Sequence, residues 1–279
     1  MDMRIQAEKA EQFRKLHHGP RMLLLPNAWD VASARILEEC GHPAIATTSA
    51  GIAYSLGYPD GQRISRGEML EIVGRIARAV RIPVTADLEA GYGTTSKEIA
   101  ETVKAAIEAG AIGMNLEDVT GDDESSQVAL PLQIEKIHAI RETAASLGVP
   151  FVLNSRTDIY LMPIGPESTW FERTVERLRA YRGAGADCLF APGVYDRDTI
   201  AKLVKAVDAP LNILANPACP PLAELEKIGV ARVSAGSGIM RAAMGAVQRI
   251  GKEMLETRSC DAMFVGATPF IELKRMMTR

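Results

Sequence analysis

The chain is poor in the residues that staple a fold or hold a soft metal. Only four cysteines occur in 279 residues, at Cys40, Cys188, Cys219 and Cys260. None forms a CxxC pair, so a finger-type zinc site or a redox dithiol is excluded and reduced, mostly buried thiols are expected. Basic charge is not in excess: 32 Lys and Arg face 35 Asp and Glu, a net charge of −3. That is no electrostatic footprint for DNA or RNA. No apolar run reaches the roughly 18 residues of a membrane span. The stretch MDMRIQAEKAEQFRKLHHG has no apolar centre and does not read as a secretory signal. A cytoplasmic protein with no membrane or nucleic-acid partner is the expectation. Hydrophobic residues make up 47% and charged residues 24%, which fits a soluble globular chain and argues against disorder, collagen or coiled coil.

What is present is a rhythm. Short apolar runs recur at 22–25, 44–48, 83–86, 112–116, 149–153, 188–191, 211–214 and 230–234. Between them lie stretches of helical period, several with clear starts: Asp30 before 31–39, a Ser65-Arg-Gly-Glu capping box, and Ser96-Lys-Glu-Ile. Others end at Gly110 and Gly148. Eight strand–helix units predict a single (β/α)₈ barrel over 1–279, of the roughly 250-residue class. A doubly wound open sheet is the competitor, weakened because no GxGxxG follows the first run. Residues 1–20 read as an extra helix. Residues 256–279 read as a tail whose Met263, Phe264, Val265, Phe270, Ile271 and Leu273 need a surface to cover them.

In such a barrel, chemistry sits at the carboxyl ends of the strands. The residues there are Asn27 and Asp30, Thr48 and Ser49, Asp87 and Glu89, Glu117 and Asp118, Arg156 and Asp158, Asn216, and Ser234 or Ser237. Acids dominate. Asp87 and Glu89 are two apart on an extended segment and so face one side. Two carboxylates about 4 Å apart repel by roughly 4 kcal/mol at an effective dielectric of 20. Protons or a cation must neutralise a convergent set, and an oxygen-only set suits Mg²⁺ or alternatively Mn²⁺. Salt bridges and helix caps would explain the same acids without a metal. Arg156, the one basic residue at a strand end, suits a bidentate grip on a substrate carboxylate, or an ion pair with Asp158 or Glu117. The polar stretch 119–130 reads as a lid or as a solvated loop, and 50–60 as a second long connection carrying Tyr54, Tyr58 and Asp60. His17, His18, His42 and His138 fall on helices or helix ends, and no Lys stands at a strand end, which disfavours Schiff-base chemistry.

The segment TADLEAGYG (85–93) resembles the D-x-D/E-x-G-Y-G signature of the isocitrate lyase and phosphoenolpyruvate mutase superfamily. NLED (115–118) resembles its next acidic motif. LPNAWDVASARILEECG, TTSAG, LGYPDG and NSRTD follow in the family's order, so the resemblance covers roughly 24–241. It implies a (β/α)₈ barrel that binds Mg²⁺ and a 2-oxo acid or its enolate. By motif position, it implies that Asp87 ligates the metal directly, while Glu89, Glu117 and Asp60 hold it through waters. Ser49 with the Thr48–Ala50–Gly51 turn, Asp87, Arg156 and Asn216 would bind substrate. Ser49, Arg156 and Glu117 would carry catalysis. It also implies a homotetramer that exchanges terminal helices. Isocitrate and methylisocitrate lyases carry a K-K/R-C-G-H loop after the fourth strand. Here the loop VTGDDESSQVAL has no Cys, His or Lys. The Asn and His of the phosphonate mutases are also missing, and Ala46 stands where an aromatic residue is common.

The expected activity is therefore a Mg²⁺-dependent carbon–carbon lyase acting on a small 2-oxo or 2-hydroxy dicarboxylic acid. Decarboxylation is preferred over retro-aldol cleavage, because water can protonate the enolate once CO₂ leaves. The alternatives are C–P bond hydrolysis or mutation of a phosphonopyruvate-like substrate, and a 2-oxo acid binding protein with degraded catalysis.

Overall fold

A computed structural model describes residues 2–120 and 123–278. Its strands are β1 (Leu23–Leu25), β2 (Asn27–Ala28), β3 (Ile45–Thr47), β4 (Val84–Asp87), β5 (Gly113–Leu116), β6 (Val119–Thr120), β7 (Asp123–Gln127), β8 (Val152–Arg156), β9 (Cys188–Phe190), β10 (Leu211–Leu214) and β11 (Arg232–Ser234). Nine of them form a parallel sheet in the order β1-β11-β10-β9-β8-β5-β4-β3-β2, while β6 and β7 make a separate antiparallel hairpin. The expected (β/α)₈ architecture is what forms.

Nine segments replace the eight expected strands because Pro26 splits the first. Proline has no N–H for the ladder. Leu23–Leu25 pairs with β11 and Asn27–Ala28 pairs with β3, so one interrupted strand joins both edges of the sheet. Asn27 reinforces the join. Its Nδ2 donates to Thr47 O (2.7 Å) and its Oδ1 accepts from Gly236 N (2.9 Å).

Helices cover the outside: α1 (Met3–Leu16), α2 (Val31–Glu39), α3 (Ser49–Ser55), α4 (Arg66–Ala79), α5 (Ser96–Ala109), α6 (Leu130–Ser146), α7 (Trp170–Gly183), α8 (Arg197–Val207), α9 (Leu222–Ile228), α10 (Gly238–Glu256) and α11 (Phe270–Met277). Six of them, α1 to α5 and α8, start at a side-chain cap. Asp30, Ser65 and Thr95 cap α2, α4 and α5 in full capping boxes, and Gly110 ends α5 at φ +103°. The helix α1 plugs one end of the barrel. Phe13 is fully buried there, edge-on to His17 and beneath the Arg232 guanidinium.

Three expectations change. The connection 50–60 opens with α3, which Thr48 caps. The stretch 119–130 contains the β6–β7 hairpin, although Gly121, Asp122 and the side chains of 123–126 lie outside the described residues. Of the four thiols only Cys188 is buried, whereas Cys40 and Cys260 are exposed. The tail turns back on its own chain: Arg275 pairs with Glu39 (2.6 Å), and Arg35 donates to the carbonyls at the end of α11. No helix among the described residues is long and apolar enough to cross a membrane.

Gly113 marks a close approach inside the barrel. A β-carbon there would collide with the Val152 carbonyl oxygen and press on Thr85 Oγ1 at 3.1 Å. Gly113→Ala is expected to cost about 1–3 kcal/mol by overpacking. Urea unfolding of the variant against the parent measures it.

Candidate active site

A cavity of about 390 Å³ opens at the carboxyl ends of the strands. Its size suits a small organic ligand. Of the residues singled out in the sequence, Thr48, Ser49, Ala50, Asp60, Asp87, Glu89, Glu117, Arg156, Asp158 and Asn216 line it, as do Asn27, Ser234 and Ser237. Gly51, Asp30 and Asp118 do not. The Gly51 N–H is taken by Thr48 Oγ1 (3.3 Å), Asp30 caps α2, and Asp118 is fully buried behind the wall.

Asp87 stands at the end of β4 and is the hub. Its Oδ2 accepts from Ser49 N (3.0 Å) and Ser49 Oγ (2.9 Å), and its Oδ1 accepts from Asn115 Nδ2 (3.2 Å). Asn115 in turn accepts from Asn154 Nδ2 at 2.7 Å. Ser49 is thereby oriented toward Asp87 rather than left free. Glu89 reaches the cavity by another route than alternation along a strand. The strand ends at Asp87, and Glu89 takes a left-handed backbone, φ +52°, as does Tyr92 at +54°. A non-glycine residue in that region stores strain, which concentrates at functional sites. Glu89 Oε1 accepts from Gln62 N (3.0 Å) and Gly61 N (3.3 Å), while the buried Oε2 has no hydrogen-bond partner among the described residues.

Arg156 bridges two acids. Its Nε donates to Asp158 Oδ1 (2.7 Å) and its Nη1 to Glu117 Oε1 (2.6 Å). The ion pairs read as one possibility for this residue are both present, and the same side chain lines the cavity. Five donors make that feasible.

The electrostatics follow from burial. Loss of solvent, with Asp87 and Asp60 nearby, pushes the Glu89 carboxyl up to about 7 against the pull of the Gln62 N–H. Asp60 is raised by burial and then by Asp87. Burial raises Glu117 well above the ordinary range despite Arg156, and pushes Asp158 up to about 6. Burial opposes charge on Arg156, but Asp158, Glu117 and Asp87 outweigh it and hold the guanidinium above its ordinary value. The mouth is short of positive charge.

That shortage, and the unpartnered Glu89 Oε2, fit a divalent cation. Among the described residues no three or more His, Cys, Asp or Glu side chains form a ready-made ligand cage. The acids therefore suit an ion that keeps part of its water shell, as Mg²⁺ does.

Several wall residues were missed in the sequence. Arg241, on the first turn of α10, lies three residues past the cavity-lining Gly238 and makes no ion pair among the described residues. Only a register for the eighth helix would have found it. Leu161, Met162, Phe190 and Leu214 form an apolar part of the wall, and Tyr195 supplies a phenol. Tyr54 and Tyr58 do not line the cavity and are exposed. No Cys, His or Lys among the described residues lines it.

Comparison with known proteins gives a consistent picture. The family model described as phosphoenolpyruvate phosphomutase matches residues 13–255. A structure from Burkholderia cenocepacia J2315, assigned provisionally as a lyase/mutase, superposes with a TM-score of 0.92 at 40% identity, covering 99% of this chain and 97% of that one. Oxaloacetate decarboxylase of Pseudomonas fluorescens (strain SBW25) is 28% identical over 84% of this chain and 80% of its own. The 2-methylisocitrate lyase of Bacillus subtilis (strain 168) is 29% identical over 76% and 68%.

The raised Glu89 carboxyl makes a stability prediction with a definite sign. Its folded value lies above its unfolded one, so its contribution is present at pH 4 and is lost as pH rises through about 7. Glu89→Gln mimics the protonated form. Metal-free Glu89→Gln is expected to melt several degrees above the parent at pH 8 and to lose that advantage by pH 5, as read by thermal melts across the range.

Proposed function

We propose, on the premise that the chain belongs to the phosphoenolpyruvate phosphomutase family, that it is a divalent-metal-dependent carbon–carbon lyase which decarboxylates a small 2-oxo dicarboxylic acid of the oxaloacetate type. That it is an enzyme with lyase or mutase chemistry follows from the family and its relatives. The observation that carries the finer reading is the pairing of a cation-deficient acid cluster with two arginines, Arg156 and Arg241, in a cavity with no Cys, His or Lys donor among the described residues.

Asp87, Glu89, Glu117 and Asp60 would hold the metal, with Mg²⁺ the best match to their oxygen donors. The metal would supply Lewis-acid polarisation of the 2-oxo acid oxygens. Asp87 fixes Ser49, whose hydroxyl and N–H both point at its carboxylate, and so sets the polar floor of the cavity. Arg156 uses the donors not engaged by Glu117 and Asp158 to hold the 2-oxo acid carboxylate and its neighbouring oxyanion. Arg241, free of an ion pair among the described residues, suits the second carboxylate at the rim. Loss of CO₂ moves the bonding pair of the broken C–C bond into the 2-oxo unit, giving an enolate. Water then protonates the enolate carbon. The step needs no thiol in the loop, and in that it differs from retro-aldol cleavage, where a developing carbanion is protonated as it leaves. Thr48, Ala50 and Asn216 complete the wall around the substrate.

The same reading includes assembly into a homo-oligomer. Val247 and Leu255 on α10, Phe264 and Val265 after it, and Phe270 and Ile271 on α11 are all well exposed. A surface so apolar calls for a covering partner. Light scattering of the purified protein measures the mass.

Asp87→Ala and Arg156→Lys are each expected to lower the rate of pyruvate formation from oxaloacetate by about 10²-fold or more while leaving the protein folded. Proton NMR of Mg²⁺-loaded protein follows the product, with an EDTA-treated control. Phosphate or a rearranged phosphonate from phosphonopyruvate, with oxaloacetate untouched, would replace decarboxylation by C–P chemistry. Tight oxalate binding without turnover of any substrate would leave a binding protein.

A further inference from the structure

Behind the cavity wall lies a buried polar node that the proposed chemistry does not use. Asp118 is fully buried. Its Oδ2 accepts from Arg177 Nε (2.6 Å), Tyr181 Oη (2.7 Å) and Gln127 Nε2 (2.8 Å). Its Oδ1 accepts from Asp158 N at 3.0 Å. Asp158 is the residue that holds Arg156 Nε. One carboxylate therefore binds α7, the end of the β6–β7 hairpin, and the backbone of the acid that aims the cavity arginine.

Gln127 ties the hairpin to this node through its side chain. Its Nε2 also reaches Thr157 Oγ1 (3.2 Å), next to Asp158, and its Oε1 accepts from Arg173 Nη2 at 3.1 Å. A carboxylate on one side and a guanidinium on the other fix the orientation of the amide. Its neighbour Val128 is tied as well, through its N–H to Asp118 O (2.8 Å) and its carbonyl to Arg177 Nη2 (2.6 Å). Gln127 lies in the polar stretch 119–130, read from the sequence as a lid or a solvated loop, yet the side chain does not line the cavity. Its polar capacity is spent on the node.

We propose that Gln127 is a positioning residue: through Asp118 and Thr157 it couples the β6–β7 hairpin to the Asp158–Arg156 pair and so sets the grip of Arg156 on the substrate carboxylate. The inference rests on the reading of Arg156 as a carboxylate-binding residue. A buried network of this kind fails as a unit when one donor is lost, because the remaining groups re-sort their partners.

The test uses Gln127→Met, which keeps length and removes both polar functions, alone and combined with Arg156→Lys. Oxalate affinity is measured by calorimetry with Mg²⁺ present. The Arg156 Nε–H signal is followed by ¹⁵N NMR, and melting temperature is recorded for each variant. Gln127→Met is expected to weaken oxalate binding about 10-fold, to shift or broaden the Arg156 Nε–H signal, and to lower the melting point by only a few degrees. In the Arg156→Lys background it is expected to change affinity less than 3-fold. An unchanged Nε–H signal, or an equal loss of affinity in both backgrounds, overturns the coupling. If the parent protein does not bind oxalate, the carboxylate reading of Arg156 fails, and the Nε–H signal alone decides whether Gln127 positions that side chain.

Discussion

Repulsion among carboxylates in the mouth of the barrel is the constraint to which the rest of the structure answers. Asp60, Asp87, Glu89, Glu117 and Asp158 share one cavity, with Arg156 paired to two of them. Four of the five, Asp60, Glu89, Glu117 and Asp158, have carboxyls raised chiefly by burial. A fold gains nothing from such a cluster on stability grounds, since uncompensated buried charge is costly. The proposed divalent cation would bring the positive charge that the cluster lacks.

The scaffold holds that cluster against its own repulsion. The Ser49 hydroxyl and N–H and the Asn115 amide surround Asp87 with donors. The backbone N–H groups of Gly61 and Gln62 seize one oxygen of Glu89 and leave the other buried and unpartnered. Positive φ at Glu89, Gly91 and Tyr92 turns the chain so that a residue past the end of β4 still faces the cavity. Closure of the sheet at Pro26 matters for the same reason, because Asn27 links β3 to the loop that follows β11 and so connects two walls of one site.

Much of this was legible in the sequence. The eight apolar runs and the helical stretches between them gave the barrel, because the strands are short and mostly buried and several helices carry caps of definite chemistry, as at Asp30, Ser65 and Gly110. Reading the residue after each run found most of the acidic wall, and the D-x-E-x-G-Y-G pattern tied Asp87 to a family. The misses have physical causes. Pro26 splits a strand without ending it. The alternation rule fails at Glu89 because the backbone leaves the extended region there. Asp118 follows Glu117 directly, yet it points into the packing of α7, and only tertiary contacts with Arg177 and Tyr181 show that. Arg241 sits on a helix rather than at a strand end, so a search confined to strand ends passes over it.

The charge deficit itself is open to direct measurement. Calorimetric titration of Mg²⁺ into metal-free protein at pH 6.5, in two buffers of different ionisation enthalpy, reports both binding and the protons released by it. The account predicts saturable 1:1 binding with an enthalpy that differs between the buffers, because the Glu89 carboxyl, held up to about 7, is partly protonated at that pH and loses its proton to the buffer as the ion binds. Absence of saturable binding, or binding whose enthalpy is the same in both buffers, would contradict it.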